Sequence, residues 1–117
     1  MRTSAKKSSP RHPSELRAAW WYRLRGYRVL DANCWAGGYE LDLVVRRGRT
    51  IVFVEVKSKA GTRFGDPLEM VTPLKIERVH RAAAAWLASN SSLVGLSRRF
   101  DVAAERAGRL EVVQDAF

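Results

Sequence analysis

The apolar positions along the chain change period several times, and each change marks an element. From Leu16 to Leu24 they recur at helical spacing, with Leu16, Ala19, Trp20, Tyr22 and Leu24 on one side and Arg17 and Arg25 outside it. Ser14 offers an N-cap and Gly26 a C-terminal stop, which predicts a helix over residues 14–25. From Tyr27 the period becomes two, through Val29 and a short polar stretch to a turn at Gly37 and Gly38. Residues 39–47 (YELDLVVRR) and 50–59 (TIVFVEVKSK) read as two stronger strands flanking Gly48 and Arg49. A Gly at the first central position suits a two-residue type II′ hairpin turn.

Residues 60–73 hold Gly61, Gly65, Pro67 and Pro73 without a sustained pattern, so they form a loop. A second amphipathic helix follows over residues 74–88, with Leu74, Ile76, Val79, Ala83, Trp86 and Leu87 near one face. Two closing strands are expected, one around residues 99–106 and one from Arg109, joined by a turn at Ala107 and Gly108. The order is α, β, β, β, α, β, β. On the helical faces Trp20 and Trp86 are expected in the core, and Cys34 serves as filler.

The chain has 117 residues, enough for one domain with one modest core. The first 13 residues mix charge, Ser and Pro without apolar periodicity, and are expected to be a disordered basic arm preceding a single domain over residues 14–117. Lys and Arg number 21 against 12 Asp and Glu, a net charge of +9 that remains positive without the arm. Such an excess favours a polyanionic partner, because phosphates attract dispersed basic charge and release counterions on binding. A single Cys excludes an internal disulfide, and His12 and His80 are too few and too scattered for a zinc site. No apolar run suits a signal peptide or a membrane span, so a cytoplasmic protein without membrane contact is expected.

Candidate chemistry concentrates in the central hairpin. Alternation puts Glu40 and Asp42 on one face of the first strand, opposite Leu41 and Leu43. On the partner strand it puts Glu55 and Lys57 on one face and Val52, Val54 and Val56 on the other. A turn centred between Gly48 and Arg49 then sets Asp42 opposite Glu55 and Glu40 opposite Lys57. Facing carboxylates repel, and a hard cation such as Mg²⁺, or Mn²⁺, relieves the repulsion through their oxygens. A neighbouring lysine suits phosphodiester hydrolysis, either by holding water or by countering negative charge in the transition state. An ExK triplet alone is weak and far more often describes a surface ion pair. Its weight here comes from the apolar VFVEV strand, the facing ELD and the basic chain.

The same stretches carry a resemblance. GYRVLDAN, GGYELDLV, IVFVEVKSK, a G-D-P loop, Lys75 ahead of an alanine-rich helix, and RRFDV occur in an order that resembles the YraN-like family of uncharacterised bacterial proteins, over roughly residues 14–106. That family resembles the restriction-endonuclease-like PD-(D/E)xK superfamily and the Holliday-junction resolvases. The resemblance implies an α/β fold with a central mixed sheet of about five strands flanked by helices. It implies Asp42 as metal-binding acid, Glu55 as second acid and Lys57 as catalytic lysine, with Glu15 on the first helix reaching the metal and Glu40 matching a GEIDL-like motif. Tyr39 and Ser14 stand where the family usually has Gly, and Lys59 where it often has Arg.

The function expected is a metal-dependent endonuclease on DNA, extending to branched or damaged structures. The alternative is a nucleic-acid-binding module of the same fold with little or no catalysis. Lys59, Lys75 and Arg78 are the candidate phosphate contacts, and Trp35, beside a turn, the candidate for stacking on an unpaired base. Related resolvases work as dimers, so a homodimer is the assembly the resemblance implies, although no residue pattern marks its surface.

Overall fold

The computed structural model describes residues 9–58 and 71–117. Along them run α1 (Pro13–Arg23), β1 (Arg28–Ala36), β2 (Tyr39–Arg47), β3 (Thr50–Ser58), α2 (Pro73–Ala88), a 3-10 turn (Ser91–Leu93), β4 (Ser97–Arg106) and β5 (Arg109–Val113). The five strands form one sheet in the order β1-β2-β3-β4-β5. β3 and β4 are parallel and every other neighbouring pair is antiparallel, so the sheet is mixed. α2 makes the crossover a parallel pair requires. The expected α/β architecture and element order are those observed.

Each helix covers one face of the sheet. Ala18, Ala19 and Tyr22 of α1 pack on Leu43, Val45, Val52, Val54 and Ala103. Val79, Ala82, Ala83, Trp86 and Leu87 of α2 pack on Leu41, Val44, Ile51, Phe53 and Phe100. Successive residues of β3 thus feed both layers, as expected of a central strand whose two faces are both covered. The hairpin register is the expected one, with Arg47 paired to Thr50 and Leu43 to Val54. Gly48 has φ +60 at the first central position, as a type II′ turn demands. The turn at Gly37 and Gly38 lies against α2: a Cβ on Gly37 would come within 3.1 Å of the Arg81 carbonyl oxygen.

Three expectations about α1 are corrected. The N-cap is His12, whose Nδ1 accepts from the Ser14 backbone N–H, while Glu15 reaches back to the His12 N–H in a capping box. Ser14 lies inside the helix and is buried. Trp20 is exposed rather than in the core, as are Leu16 and Leu24, while Trp86 is buried as expected. Ala19 and Tyr22 face inward as expected and are joined there by Ser14 and Ala18, because small residues let the helix approach the sheet closely and Tyr22 reaches a partner beneath it. That partner is Asp101, fully buried on β4, which accepts from Tyr22 Oη at 2.6 Å, Arg99 Nε at 2.9 Å and the Asp115 backbone N–H at 2.9 Å. A buried carboxylate is tolerated here because these donors and the Arg99 guanidinium replace its hydration.

Further along, Leu74 is exposed, and the inward face of α2 begins at Val79. β1 is longer than expected and runs through DANCWA to Ala36. Residues 1–8 of the expected arm, Lys59 and most of the expected loop lie outside the described residues. Among the described residues no helix is long and apolar enough to cross a membrane.

Candidate active site

The site forms at the end of the sheet where β2 begins, β3 ends and both helices start. Its geometry depends on Asn33, which takes a left-handed φ of +52 in the middle of β1. Before it, the cross-strand pair Ala32 and Leu43 packs on the α1 side; after it, the pair Cys34 and Leu41 packs on the α2 side. The hairpin therefore changes sides at the level of Asn33 and Asp42. Two consequences differ from simple alternation. Leu41 and Leu43 face opposite layers, and Tyr39, not Glu40, turns toward Glu55.

Glu55 is buried, and three donors converge on its Oε2: Lys57 Nζ at 3.0 Å, Tyr39 Oη at 3.3 Å and Lys75 Nζ at 3.8 Å. Lys75 comes from the first turn of α2, which contains no acidic residue. A cation at that end opposes the helix dipole, so its place is set by Glu55. The β2–β3 pairing ends at Leu43 and Val54. Asp42 therefore does not continue the ladder opposite Glu55; its Oδ2 accepts the Val56 backbone N–H at 2.9 Å and keeps the carboxylate at the seam. Burial, then the negative charge of Glu55, pushes the Asp42 pKa up to about 7. The charges of Lys57 and the Val56 N–H act the other way without cancelling it.

The two lysines move in opposite directions. Burial lowers the proton affinity of Lys57, but the adjoining Lys75, Glu55 and Asp42 outweigh it and the net direction is upward. For Lys75, burial and then the neighbouring Lys57 ammonium win, and its pKa falls below the ordinary lysine value. Burial raises the Tyr39 hydroxyl to about 12, with the Glu55 charge adding to it. Tyr39 is therefore a donor at neutral pH, and Lys57 an ammonium.

The remaining predicted residues fall elsewhere. Glu15 spends Oε1 on the Arg11 and His12 backbone N–H groups, each at 3.1 Å, and on Asn33 Nδ2 at 2.9 Å. Its charge is felt weakly at Asp42, but the structure does not bring it into the carboxylate pair. Glu40 pairs across the strands with Trp35 and lines a shallow groove with Arg11, His12, Pro13, Glu15 and Asn33; it does not face Lys57. Trp35 and Arg78 are exposed, and Lys59 lies outside the described residues. Lys75, read from the sequence as a phosphate contact, stands inside the cluster. Tyr39 was visible only as a departure from a family glycine, since its turn toward Glu55 depends on the Asn33 kink.

Among the described residues no three His, Cys, Asp or Glu side chains form a metal-ligand group. Asp42 and Glu55 are the carboxylates of the cluster that could hold a divalent cation; two carboxylates, with waters and substrate phosphate, are a common protein share for Mg²⁺. The raised proton affinity of Asp42 fits this use, because a cation would relieve the same repulsion a proton relieves.

Sequence comparison locates the chain among known proteins. The model of the uncharacterised protein family UPF0102 matches residues 14–104. The UPF0102 protein of Geobacter sulfurreducens is 41% identical over 108 residues, covering 88% of this chain and 83% of the relative. The UPF0102 protein YraN of Escherichia coli is 38% identical over 104 residues, covering 88% and 79%. That of Beutenbergia cavernae reaches 46% identity over a shorter span of 72 residues, 62% and 61% of the two chains. The matched segment runs from the first turn of α1 into β4 and takes in Asp42, Glu55, Lys57 and Lys75, and the chain belongs to the uncharacterised protein family UPF0102.

Proposed function

We propose that the protein is a Mg²⁺-dependent endonuclease that hydrolyses phosphodiester bonds in DNA, with Asp42 and Glu55 holding the cation and Lys57 acting on the phosphate. The observation that carries this reading is the convergence of Lys57, Tyr39 and Lys75 on a buried Glu55 beside an Asp42 whose pKa is pushed up to about 7. A carboxyl shifted this far by burial and a specific charged neighbour is the kind of group that clusters at functional sites. The net charge of +9 supplies attraction for a polyanion.

In this reading each residue has a separate task. The Val56 N–H orients Asp42. Glu55 positions the Lys57 ammonium, whose raised proton affinity suits it to countering charge on the phosphate oxygens rather than removing a proton. Lys75 and Tyr39 add donors on the same side, and the N-terminus of α2 adds its positive dipole end. A divalent cation, when bound, supplies further positive charge and makes an adjacent water easier to deprotonate. Overall, water oxygen adds to phosphorus, one ester P–O bond breaks, and the departing oxygen leaves with a proton.

The test is cleavage of linear, nicked and four-way-junction DNA with Mg²⁺ or Mn²⁺. Asp42→Asn and Lys57→Ala should each reduce cleavage by at least about 10²-fold while leaving folding and DNA affinity intact. Equal cleavage by the variants overturns the site. Salt-dependent binding without cleavage by the wild-type chain favours the second reading, a non-catalytic nucleic-acid-binding module of this fold, which the basic surface alone would support.

A further inference from the structure

The outward face of α1 carries three large apolar side chains that no part of the described chain covers. Leu16, Trp20 and Leu24 are 41%, 56% and 77% exposed, and they account for half of the six exposed large hydrophobic residues among the described residues. They are spaced four residues apart. At about 100° per residue they form one stripe roughly 80° wide, centred about 180° from the buried Ser14, Ala18, Ala19 and Tyr22. An ordinary surface scatters such residues singly; a stripe at helical spacing is the signature of a second helix lying alongside.

The borders of the stripe identify the partner's chemistry. The same helical geometry places Arg23 about 20° to one side and Arg17 about 20° to the other. Both are exposed. The Arg23 guanidinium lies 5.3 Å from the centre of the Trp20 ring, and Arg17 is ion-paired to Glu105 of the neighbouring β4. The only acid of α1, Glu15, is consumed in the capping box at the far end. An apolar seam flanked by cations on both edges is complementary to an apolar seam flanked by carboxylates, the pairing rule that sets partner choice between packed helices.

We infer that the outer face of α1 is a docking surface for an acidic amphipathic helix of another protein, with Leu16, Trp20 and Leu24 as the apolar seam and Arg17 and Arg23 as the charge selectors. A second copy of this chain fits poorly, because its own α1 would bring arginines against arginines. Nucleic acid satisfies the arginines but gives Leu16 and Leu24 no apolar surface to bury. The surface lies on the solvent side of α1 and shares no residue with the Asp42, Glu55 and Lys57 site, so the inference stands independently of the nuclease reading.

The experiment uses the full chain and two synthetic helical peptides of about 18 residues. Both carry leucine at the seam positions; one has glutamate and the other lysine at the flanking positions. Calorimetric titration should show the glutamate peptide binding in the micromolar range and at least about tenfold more tightly than the lysine peptide. Trp20→Ala should weaken it by at least about tenfold, and Arg23→Glu should reverse the preference between the peptides. Unchanged thermal melts of both variants would confirm that the exposed side chains were removed without unfolding. Equal affinity for the two peptides overturns the inference, as does binding that survives Trp20→Ala. It is also overturned if sedimentation shows a dimer dissolved by Trp20→Ala, or if a single-stranded oligonucleotide displaces the peptide and loses its own affinity in that variant.

Discussion

Replacing Asp42 by Asn should stabilise the metal-free protein at alkaline pH and do nothing at acid pH. Asn keeps the shape and an oxygen acceptor for the Val56 N–H, so the substitution removes charge with little change in packing. In the wild-type chain the carboxyl is moved from its ordinary 3.8 to about 7. At about 1.4 kcal/mol per pH unit this sets a ceiling of roughly 4 kcal/mol. Asp42 is partly open to solvent and shares its repulsion with Glu55, so about half of that, roughly 2 kcal/mol, is the expected size. Because the folded-state value is raised, the unfolded chain releases its proton first as pH rises. The stabilising contribution is therefore complete below 3.8 and lost as pH climbs through about 7. Urea unfolding of both proteins in chelator at pH 4 and pH 8.5 measures the difference directly. The variant should match wild type at the lower pH and exceed it at the higher. A variant less stable at pH 8.5, or a gap independent of pH, would refute the account of Asp42 as a desolvated, like-charge-opposed carboxylate. The same logic predicts that Mg²⁺ stabilises the wild-type chain by roughly 3 kcal/mol at a hundred times its Kd, and the variant hardly at all.

Four further substitutions probe the frame around the site. Tyr22→Phe removes the 2.6 Å hydrogen bond to buried Asp101 and should cost about 1–3 kcal/mol in urea unfolding; a loss under about 0.5 kcal/mol would show that Arg99 and the Asp115 N–H satisfy the carboxylate without it. Ala107 holds φ +51 ahead of Gly108 at φ +77, a type I′ pair that favours Asn at the first position, so Ala107→Asn should add about 1 kcal/mol; destabilisation would contradict the turn. Gly37→Ala places a methyl within 3.1 Å of the Arg81 carbonyl oxygen at φ +58 and should cost at least about 2 kcal/mol, while the same change at Gly38, which has open space around it, should lower the melting temperature less.

Legibility from sequence tracked how local the determining physics was. The β2–β3 hairpin could be read correctly because Gly48 and the alternating valines specify both turn and register within a dozen residues. The positions of Glu55 and Lys57 followed from that register. Glu40 could not be placed, because strand alternation takes no account of the left-handed Asn33 on the neighbouring strand, which sends Tyr39 toward Glu55 instead. Lys75 joined the cluster only through the crossover that docks α2 beside β3. On α1 the binary pattern was right for Ala19 and Tyr22 but not for Trp20 and the leucines grouped with them, which are exposed; Ser14 and Ala18 complete the inward face, because β4 buries a carboxylate that a phenol reaches. His12 as N-cap went unread because capping preferences favour the Ser two residues later.

The change of sides at Asn33 also bears on when the site comes into being during folding. One strand, β2, lends Leu43 and Val45 to the layer under α1 and Leu41 and Val44 to the layer under α2. Neither half of the protein can settle and leave Asp42 in its final place while the other is still unformed. The meeting of Asp42, Glu55 and the two lysines is thus a product of the whole sheet with both its helices, and no fragment holding a single layer contains it.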